Sequence, residues 1–248
     1  MNRFSFEKKA PDISENINLF LKNGMIDYLS FDFPKIYHGI VSKDLFDKVK
    51  YVTGHYFGGL SPDIFAAMSL SFFTQHFIVI DYPFTIGGVC NSSSTAQNMS
   101  SGHRGELLTA PHLYLRGNYI WDKRIPALYS AETIWAESAI KSFIELDKEN
   151  LINKFRFSYF ILFSLRRGKG IRKLIIKESL NTRESLFQRI LLLFNLFAAI
   201  VPFVIDKISN IKLDKDTDRI EKIKNVENIE MAVNSVMINI PTEFPFEN

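Results

Sequence analysis

The tripeptide Ser61-Pro62-Asp63 strongly constrains the fold of this chain, because it predicts where one helix begins. Serine suits the N-cap, proline the first helical position, and aspartate the positively polarised first turn. This helix is expected to continue to about Thr74. The apolar run His76–Ile80 follows and ends in Asp-Tyr-Pro, which predicts a buried strand with His76 in the core.

Four further segments have a recognisable local pattern. A short helical pattern spans Ile17–Tyr28, and Ser42–Val49 predicts a short helix with its serine as N-cap. A second short strand is expected at Thr85–Val89, and a longer helix that carries a tryptophan at Ala131–Leu146. Residues 91–118 are rich in Ser, Asn and Gly without periodicity, which is typical of a functional or disordered loop.

The chain beyond residue 150 is predicted to be mostly helical, with apolar blocks at Phe155–Leu165 and Ile190–Ile205. The second block is sixteen residues long and contains an Asn and a Pro, whereas a spanning helix needs about 20 apolar residues. We therefore expect a buried core helix there. The alternative is a membrane-surface element that works with the six cations of Arg166–Lys177, hereafter the basic cluster, on anionic lipid.

Composition narrows the functional classes. With 46% hydrophobic and 23% charged residues, the chain can bury a core. A net charge of +3 and the lack of a recognisable binding module argue against nucleic acid as a partner. The single cysteine, Cys90, rules out an intramolecular disulfide, and no secretory signal follows Met1. The expected location is the cytoplasm, with peripheral contact at the inner face of the membrane as an option.

Three short motifs occur in a fixed order: Tyr37–Val41, Tyr56–Asp63 and Asp81–Phe84. Over residues 34–140, their order and spacing resemble the C-terminal part of family-2 glycosyltransferases with the GT-A fold. The resemblance implies an α/β, Rossmann-like acceptor-side part over residues 1–146 and a mostly helical region over 147–248. It also implies transfer of a sugar from a nucleotide-sugar donor to a glycan or lipid-linked acceptor, with inversion.

The resemblance gives Asp63 the role of catalytic base, and the physics of the position agrees. An inverting transfer needs a carboxylate that takes the proton of the acceptor hydroxyl. A helix N-terminus keeps such a carboxylate ionised and oriented. Gly58 and Gly59 let the backbone approach a substrate closely. The alternative is that Asp63 is only an acidic residue at a helix start.

Five further residues are candidates for substrate binding. By resemblance, a loop carrying His103 and Arg104 closes over donor and acceptor, where these side chains meet the diphosphate or its metal. Tyr37, His38 and Trp121 are expected to line a sugar site. For Tyr37 and Trp121 core packing is the alternative, and for the loop residues it is a solvated surface.

The donor-side motif of the family is missing upstream of Asp63. That motif, Asp-X-Asp after an apolar strand, holds a divalent metal on the nucleotide diphosphate. The Asp-X-Asp pattern does occur at Asp214, Asp216 and Asp218, but this segment follows the predicted base and lies among charged residues. We therefore expect Mg²⁺ or Mn²⁺ in the intact enzyme, a possible separate donor-half protein, and little activity of this chain alone. The rival hypotheses are a truncated or split non-catalytic product and a membrane-associated protein that binds glycan.

Overall fold

A computed structural model describes residues 8–37, 39–82, 85, 104–110, 113, 117–217 and 228–238 of the chain. The described part is mostly helical, with two small sheets of two strands each. Its α-helices are α1 Ile13–Lys22, α2 Lys43–Thr53, α3 Pro62–Phe73, α4 Ala131–Glu145, α5 Phe157–Arg167, α6 Arg172–Asn181, α7 Leu186–Thr217 and α8 Ile229–Met237. Its strands are β1 Lys8–Lys9, β2 Val79–Ile80, β3 Gly105–Glu106 and β4 Leu128–Tyr129. The 3-10 turns are Tyr28–Ser30, Leu107–Thr109, Glu149–Lys154 and Lys169–Ile171.

Both described sheets are antiparallel. β1 pairs with β2, so that Lys8 lies opposite Ile80. β3 pairs with β4, so that Gly105 lies opposite Tyr129. The chain thus combines helices with strands, as predicted, but the helices carry most of the packing.

The centre of the fold is the packing of α3 against α4. Small side chains on both helices, such as Ala67 on α3 and Ala139 on α4, are completely buried and let the two backbones approach closely. One core cluster joins Phe20, Phe143 and Phe160, so it includes residues on both sides of the predicted boundary at residue 146. The division into two domains stays a prediction.

Three helices begin as the sequence predicts. Ser42 caps α2 by accepting a hydrogen bond from the Asp44 N–H, and Pro62 occupies the first turn of α3. α4 starts after Ser130, whose hydroxyl accepts from the N–H of Thr133 in a reciprocal capping box. The signals at Ser42 and at Ser61-Pro62-Asp63 lie within three residues each, which is why the sequence alone locates these two helix starts.

The predicted buried strand at His76–Ile80 is wrong in extent and burial. Only Val79–Ile80 forms a strand, which is half-buried, while His76 is exposed and is not a core histidine. The partner strand, Lys8–Lys9, is itself only two residues long and exposed, so the pair lies at the surface. A short apolar run indicates a strand, but it does not indicate whether other elements of the fold cover that strand. Of the second predicted strand, Thr85–Val89, only Thr85 is among the described residues, and it is not in a strand.

The prediction of a buried core helix at Ile190–Ile205 is also wrong. The helix extends to Leu186 without interruption at Pro202, and Leu186–Asp206 is 21 residues long and apolar enough to cross a membrane. One side of it packs on α5 through Leu192 and Phe203. The opposite side exposes eleven large apolar residues: Leu186, Phe187, Ile190, Leu191, Leu193, Phe194, Phe197, Ile200, Val201, Val204 and Ile205. We call these eleven residues the apolar face.

Candidate functional site

Asp63 lies in the first turn of α3, as predicted, with its side chain half-buried. The Tyr28 hydroxyl donates to its Oδ2 at 2.9 Å. The Ser61 hydroxyl donates to its Oδ1 at 2.5 Å, so Ser61 binds the carboxylate instead of capping the backbone with its side chain. Two hydroxyl groups therefore fix the direction of this carboxylate, and each oxygen keeps further acceptor capacity.

The negative charge of the Asp63 carboxylate affects the pKa of two tyrosines. Burial and the neighbouring carboxylate of Asp63 raise the pKa of Tyr28 far above its usual value. The same two causes, in the same order, raise the pKa of Tyr37, which is 61% exposed. Tyr37 thus lies near the predicted base, on the solvent side. Its position suits the predicted sugar-lining role, and that role stays a prediction.

Gly58 and Gly59 are required for packing, whatever else they contact. A Cβ on Gly58 would lie 2.6 Å from the Phe65 ring, and a Cβ on Gly59 would lie 2.7 Å from Ser138 Cβ on α4. Gly59 also has φ of +60°, which side-chain-bearing residues rarely adopt. The two glycines bring the turn before α3 against its own helix and α4. A substrate contact at either glycine stays a prediction.

Ser138 fixes this turn from α4. Its hydroxyl oxygen accepts hydrogen bonds from the backbone N–H of Leu60 at 3.0 Å and of Ser61 at 2.9 Å. Both N–H groups precede the helix and lack helical partners of their own. Helix α4 therefore positions the residue that orients Asp63, although 77 residues separate Ser61 from Ser138.

Glu137 is a titratable residue that sequence reasoning missed. Its side chain is completely buried on α4, and its Oε2 accepts a short hydrogen bond from the Tyr119 hydroxyl. Its Oε1 has no hydrogen-bond partner among the described residues. Burial raises the pKa of this carboxyl group to about 7, although Tyr119 and Lys141 act in the opposite direction. The residue belongs to no local motif, so nothing in the sequence marks it.

A second ionisable pair lies two turns further along α4. His55 Nε2 lies 2.9 Å from Glu145 Oε2, and burial raises the pKa of the glutamate while His55 lowers it. The His55 ring also packs on Phe65 of α3, with ring centroids 5.3 Å apart. The pair links the end of α4 to the segment between α2 and α3.

Arg104 is bound within the fold. Its Nη1 donates to the Arg167 carbonyl at 2.7 Å, and its Nη2 lies 3.7 Å from Glu132 Oε1. Arg167 also approaches that oxygen, at 3.9 Å, and the Glu132 side chain is only 3% exposed. The charge of Arg104 therefore offsets a buried carboxylate instead of facing Asp63. A contact between Arg104 and a diphosphate stays a prediction.

Trp121 packs half-buried against the core, and its indole N–H donates to the Ile125 carbonyl at 3.0 Å. This arrangement is the core packing that was the alternative to sugar stacking. His38 and His103, the remaining predicted ligands, lie outside the described residues. The structure thus brings Tyr37 to the neighbourhood of Asp63, packs Trp121 against the core, and holds Arg104 in polar contacts with Arg167 and Glu132.

The described residues contain no group of three or more His, Cys, Asp or Glu side chains that is arranged to hold a metal ion. The residues around Asp63 are hydroxyl donors instead, and they suit a carboxylate that accepts a proton. A divalent metal in the intact enzyme stays a prediction. No protein-family model, curated protein or solved structure matches this chain.

Proposed function

We propose that this chain is the acceptor-side part of an inverting glycosyltransferase of the family-2, GT-A type, with Asp63 as its base. The observation that carries the proposal is the position of this carboxylate. It lies in the first turn of a buried helix, is held by Tyr28 and Ser61, and remains half-exposed. A base must be fixed in direction and accessible to the acceptor at the same time. Two hydroxyl groups fix the direction of the Asp63 carboxylate, and its side chain is only half-buried.

In the proposed reaction, the acceptor hydroxyl oxygen attacks the anomeric carbon of the donor sugar. The new C–O bond forms while the bond to the nucleoside diphosphate breaks, and the electrons of that bond leave with the diphosphate. The hydroxyl proton passes to the Asp63 carboxylate. Attack opposite the leaving group inverts the anomeric carbon. Tyr37 is exposed and within the electrostatic influence of Asp63, and in this proposal it would contact the acceptor sugar.

The donor side of the reaction is assigned to a separate or preceding polypeptide segment. That segment would bind the nucleotide-sugar and a divalent metal, Mg²⁺ or Mn²⁺, which would neutralise the diphosphate as it leaves. The acceptor would be a glycan or a lipid-linked glycan. Asp63 and the turn that positions it would then supply the proton acceptor and its orientation.

The test is an activity assay of the chain co-expressed with a matching donor half. We expect metal-dependent sugar transfer, and the Asp63→Asn variant should lose roughly 10²–10⁴-fold in turnover while donor binding is unchanged. Asp44→Asn is the matched control, because Asp44 occupies the same first-turn position of α2 and is exposed. Full turnover with Asn at position 63 would show that the proposed base is wrong.

A second candidate function is a membrane-associated protein that binds glycan without catalysis. The apolar face of α7 favours it, because it exposes eleven large apolar side chains on one helix and large contiguous apolar patches are rare on monomeric soluble proteins. The co-expression assay separates the two candidates. A binding protein would show no metal-dependent transfer with any nucleotide-sugar, and Asp63→Asn would leave its glycan binding unchanged.

A further inference from the structure

A groove of about 910 Å³ runs along one side of α7. Its other walls are the start of α5, the residues that follow α6, and the loop before β4. Four cationic residues line it, namely Lys123, Arg124, Arg156 and Arg183, together with one acidic residue, Glu184. The volume is that of a site for a ligand of small-molecule size. The excess of cations favours a ligand that carries negative charge.

Two of these cations are not neutralised inside the groove. Arg124 is committed to Asp122 and Glu149, each at 2.7 Å. Among the described residues, the Arg156 and Arg183 guanidinium groups have no carboxylate partner. They lie over aromatic rings, Arg156 at 4.0 Å from the centroid of Tyr159 and Arg183 at 4.5 Å from that of Phe157.

Stacking on a ring leaves the edge of a guanidinium group free to donate hydrogen bonds. The planar fork of arginine matches two phosphate oxygens at once. The Arg183 side chain is half-buried, and this burial lowers its pKa. A partly desolvated cation interacts more strongly with an anion than one in bulk water does. Arg156 and Arg183 both line the groove, and each can donate to phosphate oxygens of a ligand bound there.

The α7 wall of the groove is continuous with the apolar face. Leu191 belongs to both surfaces, and Asn195, Ala198 and Pro202 continue the wall at helical spacing. The neighbouring apolar face includes Phe197, which is 76% exposed. A free phosphate or a nucleotide would leave this apolar surface in water. A ligand with an anionic head and hydrocarbon tails would cover it.

We propose that the groove binds the phosphate headgroup of an anionic membrane lipid through Arg156 and Arg183, while the apolar face of α7 contacts the acyl chains. Hydrogen bonds from the two guanidinium groups replace the water around the headgroup phosphate. The acyl chains cover apolar surface of α7 that is otherwise exposed to water. This site differs from the basic cluster, where Arg167 already approaches Glu132. Lipid binding here does not depend on the proposed sugar transfer, since it uses none of the residues around Asp63.

The test is sedimentation of the full chain with vesicles, either of phosphatidylcholine alone or of phosphatidylcholine and phosphatidylglycerol in equal parts. We expect binding to the second kind only. Replacing both groove arginines, Arg156→Gln with Arg183→Gln, should lower the partition coefficient roughly 100-fold, because each loses charge-assisted hydrogen bonds to the phosphate as well as its charge. The matched control is Arg166→Gln with Lys173→Gln, which removes the same charge from exposed positions of the basic cluster. The loss in the control should be several-fold smaller.

A second pair of variants tests the apolar half of the site without touching the groove cations. Phe194→Gln with Phe197→Gln changes two residues that are 67% and 76% exposed, so the fold should be retained. Vesicle binding should be lost. Ile40→Gln with Leu108→Gln is the control, because these residues are 98% and 93% exposed but far from α7 in the sequence. This control should bind as the unaltered chain does.

Three outcomes would overturn the proposal. Equal losses in the groove variant and the basic-cluster control would mean that only general charge attraction is at work. Retained binding after the phenylalanine substitutions would mean that acyl chains do not contact α7. Displacement from the vesicles by inorganic phosphate as effectively as by short-chain phosphatidylglycerol would assign the site to free phosphate. Circular dichroism of each variant shows that losses do not arise from unfolding.

Discussion

Glu137 couples the stability of the folded chain to pH. Its carboxyl group is buried, one of its oxygens lacks a hydrogen-bond partner among the described residues, and its pKa is raised to about 7. The folded state therefore holds this proton at pH values where the unfolded chain has released it. Protonated Glu137 stabilises the fold fully below its ordinary pKa near 4.5. This contribution is lost as pH rises through about 7.

The Glu137→Gln variant should lack this dependence, because glutamine cannot ionise and still accepts a hydrogen bond from Tyr119. Relative to the unaltered chain, its free energy of unfolding should increase by on the order of 3 kcal/mol between pH 5 and pH 8. Urea titrations at the two pH values measure the difference. Glu15→Gln, at an exposed position in the first turn of α1, is the control. Identical pH profiles for Glu137→Gln and the unaltered chain would contradict the prediction.

The contact between α4 and the turn before α3 depends on two residues that are distant in sequence. Gly59 lies against Ser138 so closely that no side chain fits between them. The same serine accepts two backbone hydrogen bonds from this turn. The orientation of Asp63 therefore depends on how closely the two elements approach.

Gly59→Ala should destabilise the chain by more than its backbone conformation alone explains. The left-handed backbone costs an alanine roughly 1–2 kcal/mol, and overpacking adds typically 1–3 kcal/mol. Gly54→Ala is the matched control, because Gly54 has φ of +82° but nothing within 4 Å of an added Cβ. Chemical denaturation compares the two variants. Equal losses of stability would show that α4 moves away at no cost.

At the scale of the whole molecule, local sequence patterns predicted several of the helices. Contacts between residues that are distant in sequence could not be predicted from such patterns. The starts of α2 and α3 follow from residues no more than two positions apart. The Tyr28–Asp63 contact joins residues 35 positions apart, and no local pattern encodes it. The exposure of α7 was missed for the same reason. An apolar helix looks alike in sequence whether protein, lipid or water covers it.

Donor binding is a property of the whole molecule, because it requires a nucleotide-diphosphate site somewhere in the polypeptide. The described residues hold no cluster of metal ligands, and the sequence has no donor-side Asp-X-Asp motif upstream of Asp63. We expect calorimetry of the chain alone to show no micromolar binding of uridine or guanosine diphosphate with Mn²⁺. Co-expression with a matching donor half should restore it. Micromolar binding to the chain alone would mean that the donor site lies within these residues.

The attachment of α7 to α5 limits how the chain can meet a lipid bilayer. The Tyr159 hydroxyl on α5 donates to the Asp206 carboxylate on α7 at 2.7 Å. Leu192 and Phe203 are buried on the side of α7 that packs against α5. At 1.5 Å per residue, 21 residues cover about 31 Å, the thickness of a hydrocarbon core. Crossing it would draw α5 inside, with Arg166 and Arg167, at about 3 kcal/mol for each cation. The axis of α7 is therefore expected to lie parallel to the bilayer plane, at the depth of the glycerol groups.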